Sequence, residues 1–236
     1  MSSPTSHRPP IDRQIDRQID TVVLDLDGTL VDSVYVHVLA WQAAFRDVGL
    51  DVAGHRLHRL IGMGGDRLVA AAAGDPVERA FGDELRSRHP AHLDELFHRI
   101  RPTDGATELL ETLDDHGLTT VLASSSDESL TDRLLALVEG GHRLVGSLVS
   151  GSDAAASKPS GALVEVALGT VDAGRAVMVG DAVWDVAAAI DAGVPCVSVL
   201  SGGLGEAELR GAGAVAVHAS PRALALHLRT TGSLLP

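Results

Sequence analysis

Thr21-Val22-Val23-Leu24-Asp25-Leu26-Asp27-Gly28-Thr29-Leu30-Val31-Asp32-Ser33 is the stretch that decides the fold. β-formers run straight into two carboxylates one residue apart, and a glycine follows. A short apolar run closed in this way reads as a buried strand of a parallel sheet. Asp25 and Asp27 then stand at its carboxyl end, where open α/β sheets place their ligands. If the strand geometry persists, its period of two sends both side chains to the same side. Two like charges that close call for a cation or a shared proton. A calcium loop with this opening needs Gly at its sixth position and a carboxylate at its twelfth. Counted from Asp25 these are Leu30 and Val36, so that reading fails, and a solvated acidic turn is the alternative that remains.

Outward from this strand, residues 34–48 have helical spacing, with Val34, Val38, Trp41 and Phe45 on one face and Gly49 as the stop. Helical patterns follow around 53–60, 65–73 and 76–99. Residues 34–99 therefore read as a small all-helical unit. From Pro102 strands alternate with helices: helix 107–116, strand 118–123, helix 128–139, strand 144–150, helix 160–168, strand 176–180, helix 185–192, strand 195–200, strand 214–218 and helix 221–229. Such alternation implies right-handed crossovers and a parallel sheet. The expected architecture is an α/β, Rossmann-like parallel sheet with helices on both faces, formed by 21–33 and 100–236. An all-helical cap, 34–99, is inserted after the first strand. Residues 1–20, with Pro4, Pro9, Pro10 and a near-repeat of Ile-Asp-Arg-Gln, are expected to be a disordered leader.

Composition narrows the function. In 236 residues, 45% hydrophobic and only 3% aromatic, the core must be built of Leu, Val and Ala. Lys plus Arg number 19 against 32 for Asp plus Glu, a formal charge of −13 without a basic stripe. Nucleic acid is an unsuitable partner for such a surface, and any phosphate site must rely on local cations. Cys196 is the sole cysteine, which excludes an internal disulfide and a thiolate zinc cluster and fits a small core residue. No stretch has the length and apolarity of a membrane span and no signal peptide is visible, so a cytoplasmic location is expected.

Other strand ends offer chemical complements to the first. Strand 118–123 runs into Ser124-Ser125-Ser126, whose hydroxyls and N–H groups suit an anion but also read as a helix cap. Lys158 precedes Pro159 and a helix, a position open to an exposed turn or to a cationic role. Gly180-Asp181-Ala182-Val183-Trp184-Asp185 closes strand 176–180. There Asp181 is a candidate ligand for a hard cation and Asp185 a candidate cap.

Taken together these segments resemble the motifs of the haloacid dehalogenase-like hydrolase superfamily, in its phosphoglycolate phosphatase and β-phosphoglucomutase-like branch with a helical cap. Asp25–Ser33 resembles the first motif, Ser124 the second, Lys158 the third and 180–185 the fourth, and the likeness covers about 21–230. The resemblance implies Asp25 as nucleophile forming an aspartyl-phosphate, and Asp27 as general acid and then base. It also implies Mg2+ held by Asp25, the backbone carbonyl of Asp27 and Asp181, with Asp185 in support. Ser124, Ser125 and Lys158 would meet the phosphoryl oxygens. His37, Trp41 and the loop 62–67, with Gly64, Gly65 and Arg67, are the candidate substrate readers on the cap. His55, His58, His89 and His92 read as solvated helix faces. Mutases of this branch resemble one another in a Gly-x-Ser-Arg cap loop. Here the loop is Gly62-Met63-Gly64-Gly65-Asp66-Arg67, which favours hydrolysis of a small phosphorylated metabolite, an organic phosphomonoester such as phosphoglycolate or a sugar phosphate, over a phosphomutase. Dehalogenase chemistry fits less well with Asp27 and the fourth motif, and a non-catalytic phosphate-binding module is the reading from another class. A monomer or homodimer is expected.

Overall fold

The computed structural model describes residues 19–155 and 157–236, so nearly all of the expected leader lies outside the described residues. β1 (Thr21–Leu24) is completely buried. After it the chain leaves the sheet for four helices: α1 (Val34–Asp47), α2 (Gly54–His58), α3 (Gly65–Ala73) and α4 (Asp75–Leu96). The expected face of α1 is the buried one, with Val34, Val38, Trp41 and Phe45 all inside. They meet Leu57 of α2, Leu68, Val69 and Ala72 of α3, and Leu85 of α4, which gives the helical unit a core of its own. α4 passes through Pro90 without stopping and ends at Leu96; the remainder of the expected helix is a tight turn, Phe97–Arg99.

The sheet resumes as β2 (Thr119–Ala123), β3 (Ser147–Val149), β4 (Ala176–Gly180), β5 (Cys196–Val199) and β6 (Ala216–His218). Its order is β3-β2-β1-β4-β5-β6, with every pair parallel. β1 lies between β2 and β4, and Leu24 is level with both Leu122 and Val179. The period of two divides the strands between two cores. Val22, Leu24, Leu122, Val177 and Val179 pack on α5 (Ala106–Asp115), α6 (Glu128–Leu135), α7 (Gly141–Leu144) and α11 (Pro221–Thr231). Val23, Val121, Ala123, Met178 and Cys196 pack on α8 (Ala162–Gly169), α9 (Val183–Asp191) and α10 (Glu206–Ala212). Cys196 is thus a buried core residue.

Three local expectations are corrected. The helix expected over 128–139 stops at Leu135, ahead of a turn in which Gly140 takes a φ of 71°. The strand expected over 144–150 shortens to Ser147–Val149 because Gly141–Leu144 coil into α7. α10 was not anticipated. Among the described residues no helix is long and apolar enough to cross a membrane.

Candidate active site

β1 delivers Asp25 to the site. Its N–H donates to the Val179 carbonyl at 2.9 Å, which carries the pairing one residue past Leu24. The backbone then leaves the strand: the N–H groups of Leu30 and Val31 both donate to the Leu26 carbonyl, at 2.9 and 3.0 Å, and Gly28 takes a φ of 85°. The two carboxylates therefore keep different partners, although both face the same cavity. Asp25 turns inward, and Asp27 turns toward α1.

The inward group is a buried charge cluster. Lys158, fully buried, pairs with Asp25 Oδ1 and, at 2.7 Å, with Asp185 Oδ1. Its peptide bond to Pro159 is cis. It is the only lysine among the 19 basic residues of the chain, a signal open to inspection in the sequence and not used there. Asp181 Oδ1 accepts from Thr29 Oγ1 at 3.1 Å, and Asp185 Oδ2 accepts from the Ala182 N–H at 3.0 Å in the first turn of α9. Ligand atoms of Asp25, Asp181 and Asp185 all lie within 4.8 Å of one another.

Burial, reinforced by Asp185 and opposed by Lys158, pushes the Asp25 carboxyl up to about 7. Burial together with Asp185 and Asp25 holds Asp181 well above the usual carboxylate range. Burial pulls the Lys158 ammonium down, but Asp185 and Asp25 outweigh it and its pKa is raised. Three carboxylates against one ammonium, shut away from water, leave excess negative charge that a hard divalent cation would neutralise. The backbone leaves space around these oxygens: a Cβ on Gly28 or on Gly202 would collide with Asp181 Oδ2. The donor set and this cradle fit a hard divalent cation.

Asp27 is held by three donors. Ser33 Oγ and His37 Nε2 reach its Oδ1 at 2.5 and 3.0 Å, and Ser126 Oγ reaches Oδ2 at 3.2 Å. Burial would raise its pKa, yet His37 and these hydrogen bonds keep it below the ordinary value. Its carboxylate is not part of the acidic trio, where Asp185 stands instead. His37 Nδ1 in turn lies 3.1 Å from His89 Nε2, and the His89 ring stacks on Trp41 with centroids 4.4 Å apart.

A cavity of about 170 Å3 lies over Asp25 and Asp27. Trp41, Ile61, Met63, Gly64, Gly65, Arg86 and His89 wall it from the cap, and Ser125, Ser126 and Asp127 from the strand ends. Ser124 is set back from it: fully buried, its Oγ accepts the Ser126 N–H at 3.1 Å. Ser125 Oγ donates to the Gly62 carbonyl at 3.2 Å. Arg67 does not reach the cavity. It lies in a separate surface recess with Pro159 and Ser160, which corrects its assignment as a reader of substrate. His89 and His58 are not solvated faces either: His89 lines the cavity, and His58 Nε2 meets the Gly202 carbonyl at 2.9 Å. His92 pairs with Asp47 at 2.7 Å, while His55 is exposed as expected. Trp41 belongs to both the cap core and the cavity wall. Thr29, Ser33 and Arg86 joined the site without being singled out.

A parallel α/β sheet with a helical cap, its strand tips holding a cation-seeking acidic cluster under a small cavity, defines a capped α/β enzyme. Residues 19–193 match the family model described as haloacid dehalogenase-like hydrolase. The chain is 31% identical over 194 residues to a phosphoglycolate phosphatase of Caulobacter vibrioides, covering 77% of this chain and 79% of the relative. A phosphoglycolate phosphatase of Agrobacterium fabrum is 29% identical over 198 residues, covering 76% and 80%. The crystal structure of a hydrolase from Pseudomonas syringae superposes with a TM-score of 0.84 at 32% identity, over 89% of this chain and 98% of that one. The chain belongs to the haloacid dehalogenase-like hydrolase family. It is a hydrolase, and the two curated relatives are phosphatases.

Proposed function

We propose that the protein is a Mg2+-dependent phosphatase that hydrolyses a small organic phosphomonoester through an aspartyl-phosphate on Asp25. The observation that carries this reading is the buried Lys158 ammonium joined to both Asp25 and Asp185 beneath the cavity. A carboxylate can approach a phosphoryl dianion only where fixed positive charge offsets the repulsion, and phosphoryl transfer asks chiefly for positioning and charge stabilisation. Asp25, Asp181 and the Asp27 carbonyl would hold Mg2+, with Asp185 beside them. When bound, the ion supplies the further positive charge that the three acids lack. In the first step an Asp25 oxygen attacks phosphorus, the bond from phosphorus to the ester oxygen breaks, and Asp27 gives that oxygen a proton. In the second, Asp27 takes a proton from water as the water oxygen attacks the aspartyl-phosphate, releasing phosphate and restoring Asp25. His37 Nε2, 3.0 Å from Asp27, is placed to exchange that proton. Ser125 and Ser126 would meet phosphoryl oxygens, Ser124 would hold the Ser126 N–H behind them, and the cap, residues 34–99, would exclude bulk water.

Phosphate release from a panel of small phosphomonoesters, with and without Mg2+, tests the reading. Asp25→Asn is expected to keep the wild-type circular dichroism spectrum while turnover falls about a thousandfold or more. Near-normal turnover in that variant would remove Asp25 as nucleophile.

A further inference from the structure

The cap side of the cavity is chemically one-sided. Trp41, Ile61, Met63 and Leu68 give it apolar walls, Leu130 adds another from the core, and the exposed acid Asp127 stands at its edge. At about 170 Å3 it is well below the roughly 300–1,000 Å3 of drug-sized sites. Both ring nitrogens of His37 are engaged, one by Asp27 and one by His89. Burial, with His37 nearby, holds His89 well below the usual imidazole range, so it faces the cavity uncharged.

Among the described residues Arg86 is the only arginine or lysine on the cavity wall, and its charge is already spent within α4. Nη1 donates to Glu78 Oε2 at 3.1 Å and to the Gly65 carbonyl at 3.3 Å. Nη2 donates to Glu78 Oε1 and to Asp83 Oδ1, both at 2.9 Å. Glu78 and Arg86 are separated by two helical turns, farther than the usual three- or four-residue pairing. Gly82 lies midway between them, and a Cβ there would run into Glu78 Oε1 and come within 2.8 Å of Arg86 Nη2. A mid-helix glycine costs about 1 kcal/mol relative to alanine; here it leaves the trough in which the fork-to-fork ion pair lies.

We infer that this cavity selects phosphomonoesters whose non-phosphate part carries no charge, and that the Glu78–Arg86 pair laid across Gly82 sets this selectivity by occupying the cation a second anionic group would need. The inference rests on the phosphatase reading and names its substrate class. A carboxylate or second phosphate on the leaving group would enter an apolar pocket edged by Asp127 and find Arg86 committed. A hydroxyl or short carbon chain would meet no such penalty. Glu78 is a positioning residue that acts through Arg86.

The test is a matched pair of esters, 2-hydroxyethyl phosphate and 2-phosphoglycolate, which share a two-carbon chain and differ in a hydroxyl against a carboxylate. With Mg2+ present, wild-type kcat/KM is expected to favour the hydroxyl ester by about tenfold or more, the scale of one uncompensated charge-assisted contact. Glu78→Gln and Gly82→Ala loosen Arg86 by different routes, one by removing the carboxylate's charge and one by displacing it, and leave it only the fully exposed Asp83 as an anionic partner. Each is expected to move the ratio of the two kcat/KM values about tenfold toward phosphoglycolate. Arg86→Met placed in either background should abolish that gain, whereas a merely structural role would lower both rates together and leave the ratio alone. A wild-type preference for phosphoglycolate, or an unmoved ratio in both variants, overturns the inference while leaving the phosphatase reading standing. Loss of phosphate release from every ester of the panel would sink the phosphatase reading, and the inference with it.

Discussion

At Lys158 a single ammonium serves two buried carboxylates, and its loss would leave both uncompensated. Removing one partner of such a cluster costs about 3–5 kcal/mol. Lys158→Met is therefore expected to lower the free energy of unfolding from urea titration by that amount at about pH 8 in chelator, where the acids are ionised, and to abolish turnover. A variant as stable as wild type under those conditions would show that the acids are relieved by other means. The identity of this residue was legible because it stands in a short, ordered set of motifs, with Asp25, Ser124 and Asp181. What Lys158 touches was not: Asp185 is 27 residues further on, read as a helix cap, and it proves to be both a cap to the Ala182 N–H and an ion-pair partner. The same limit applies to His89 and Arg86, whose roles arise from α4 folding back over α1. Nothing within a few residues of either announces that approach.

At the scale of elements, the turn between α2 and α3 and the first turn of α3 join the cap to the strand-end loops. Trp184 Nε1 donates to the Arg59 carbonyl at 3.0 Å, Arg59 pairs with Glu208 of α10 at 3.1 Å, and Ser157 Oγ donates to Asp66 at 2.6 Å. These contacts favour the cap-down arrangement that walls the cavity. Trp184→Phe keeps a ring and removes one hydrogen bond, worth about 1 kcal/mol. KM for a small ester is expected to rise about fivefold as the cap-down population falls, with little change in thermal midpoint; an unchanged KM would mean that this bond does not bias the cap. The sheet and the cap helices were legible because apolar periodicity repeats over several turns or strands. α10 was not, because a seven-residue helix buries only Leu209 and shows no measurable period. The ends of α6 and β3 escaped for a related reason: Gly140 and Gly141 redirect the backbone where apolar residues continue.

For the molecule as a whole, the acidic cluster links stability to pH and, on the proposed reading, to a divalent cation. The Asp25 carboxyl moves from 3.8 in the unfolded chain to about 7 in the fold, so between those values the folded protein binds more protons. Stability from this group is present at low pH and is lost as pH rises toward 7, and Asp181 acts in the same direction. Asp27, shifted downward, contributes in the opposite sense but only below about pH 4, outside this window. A cation binding the ionised acids must compete with protons. The increase in thermal midpoint on adding Mg2+ is expected to be larger at about pH 8 than at about pH 5, and to shrink in Asp25→Asn. Equal increments at both values would mean that the ion binds elsewhere.

The sequence places all its ε-amino chemistry on one nitrogen, and the fold puts that nitrogen out of reach of solvent, clasped by two acids under the cap. An acylating reagent therefore finds no side-chain amine on the closed molecule. Acylation at residue 158 is expected to be slow and to report whichever opening of the fold brings that nitrogen to solvent.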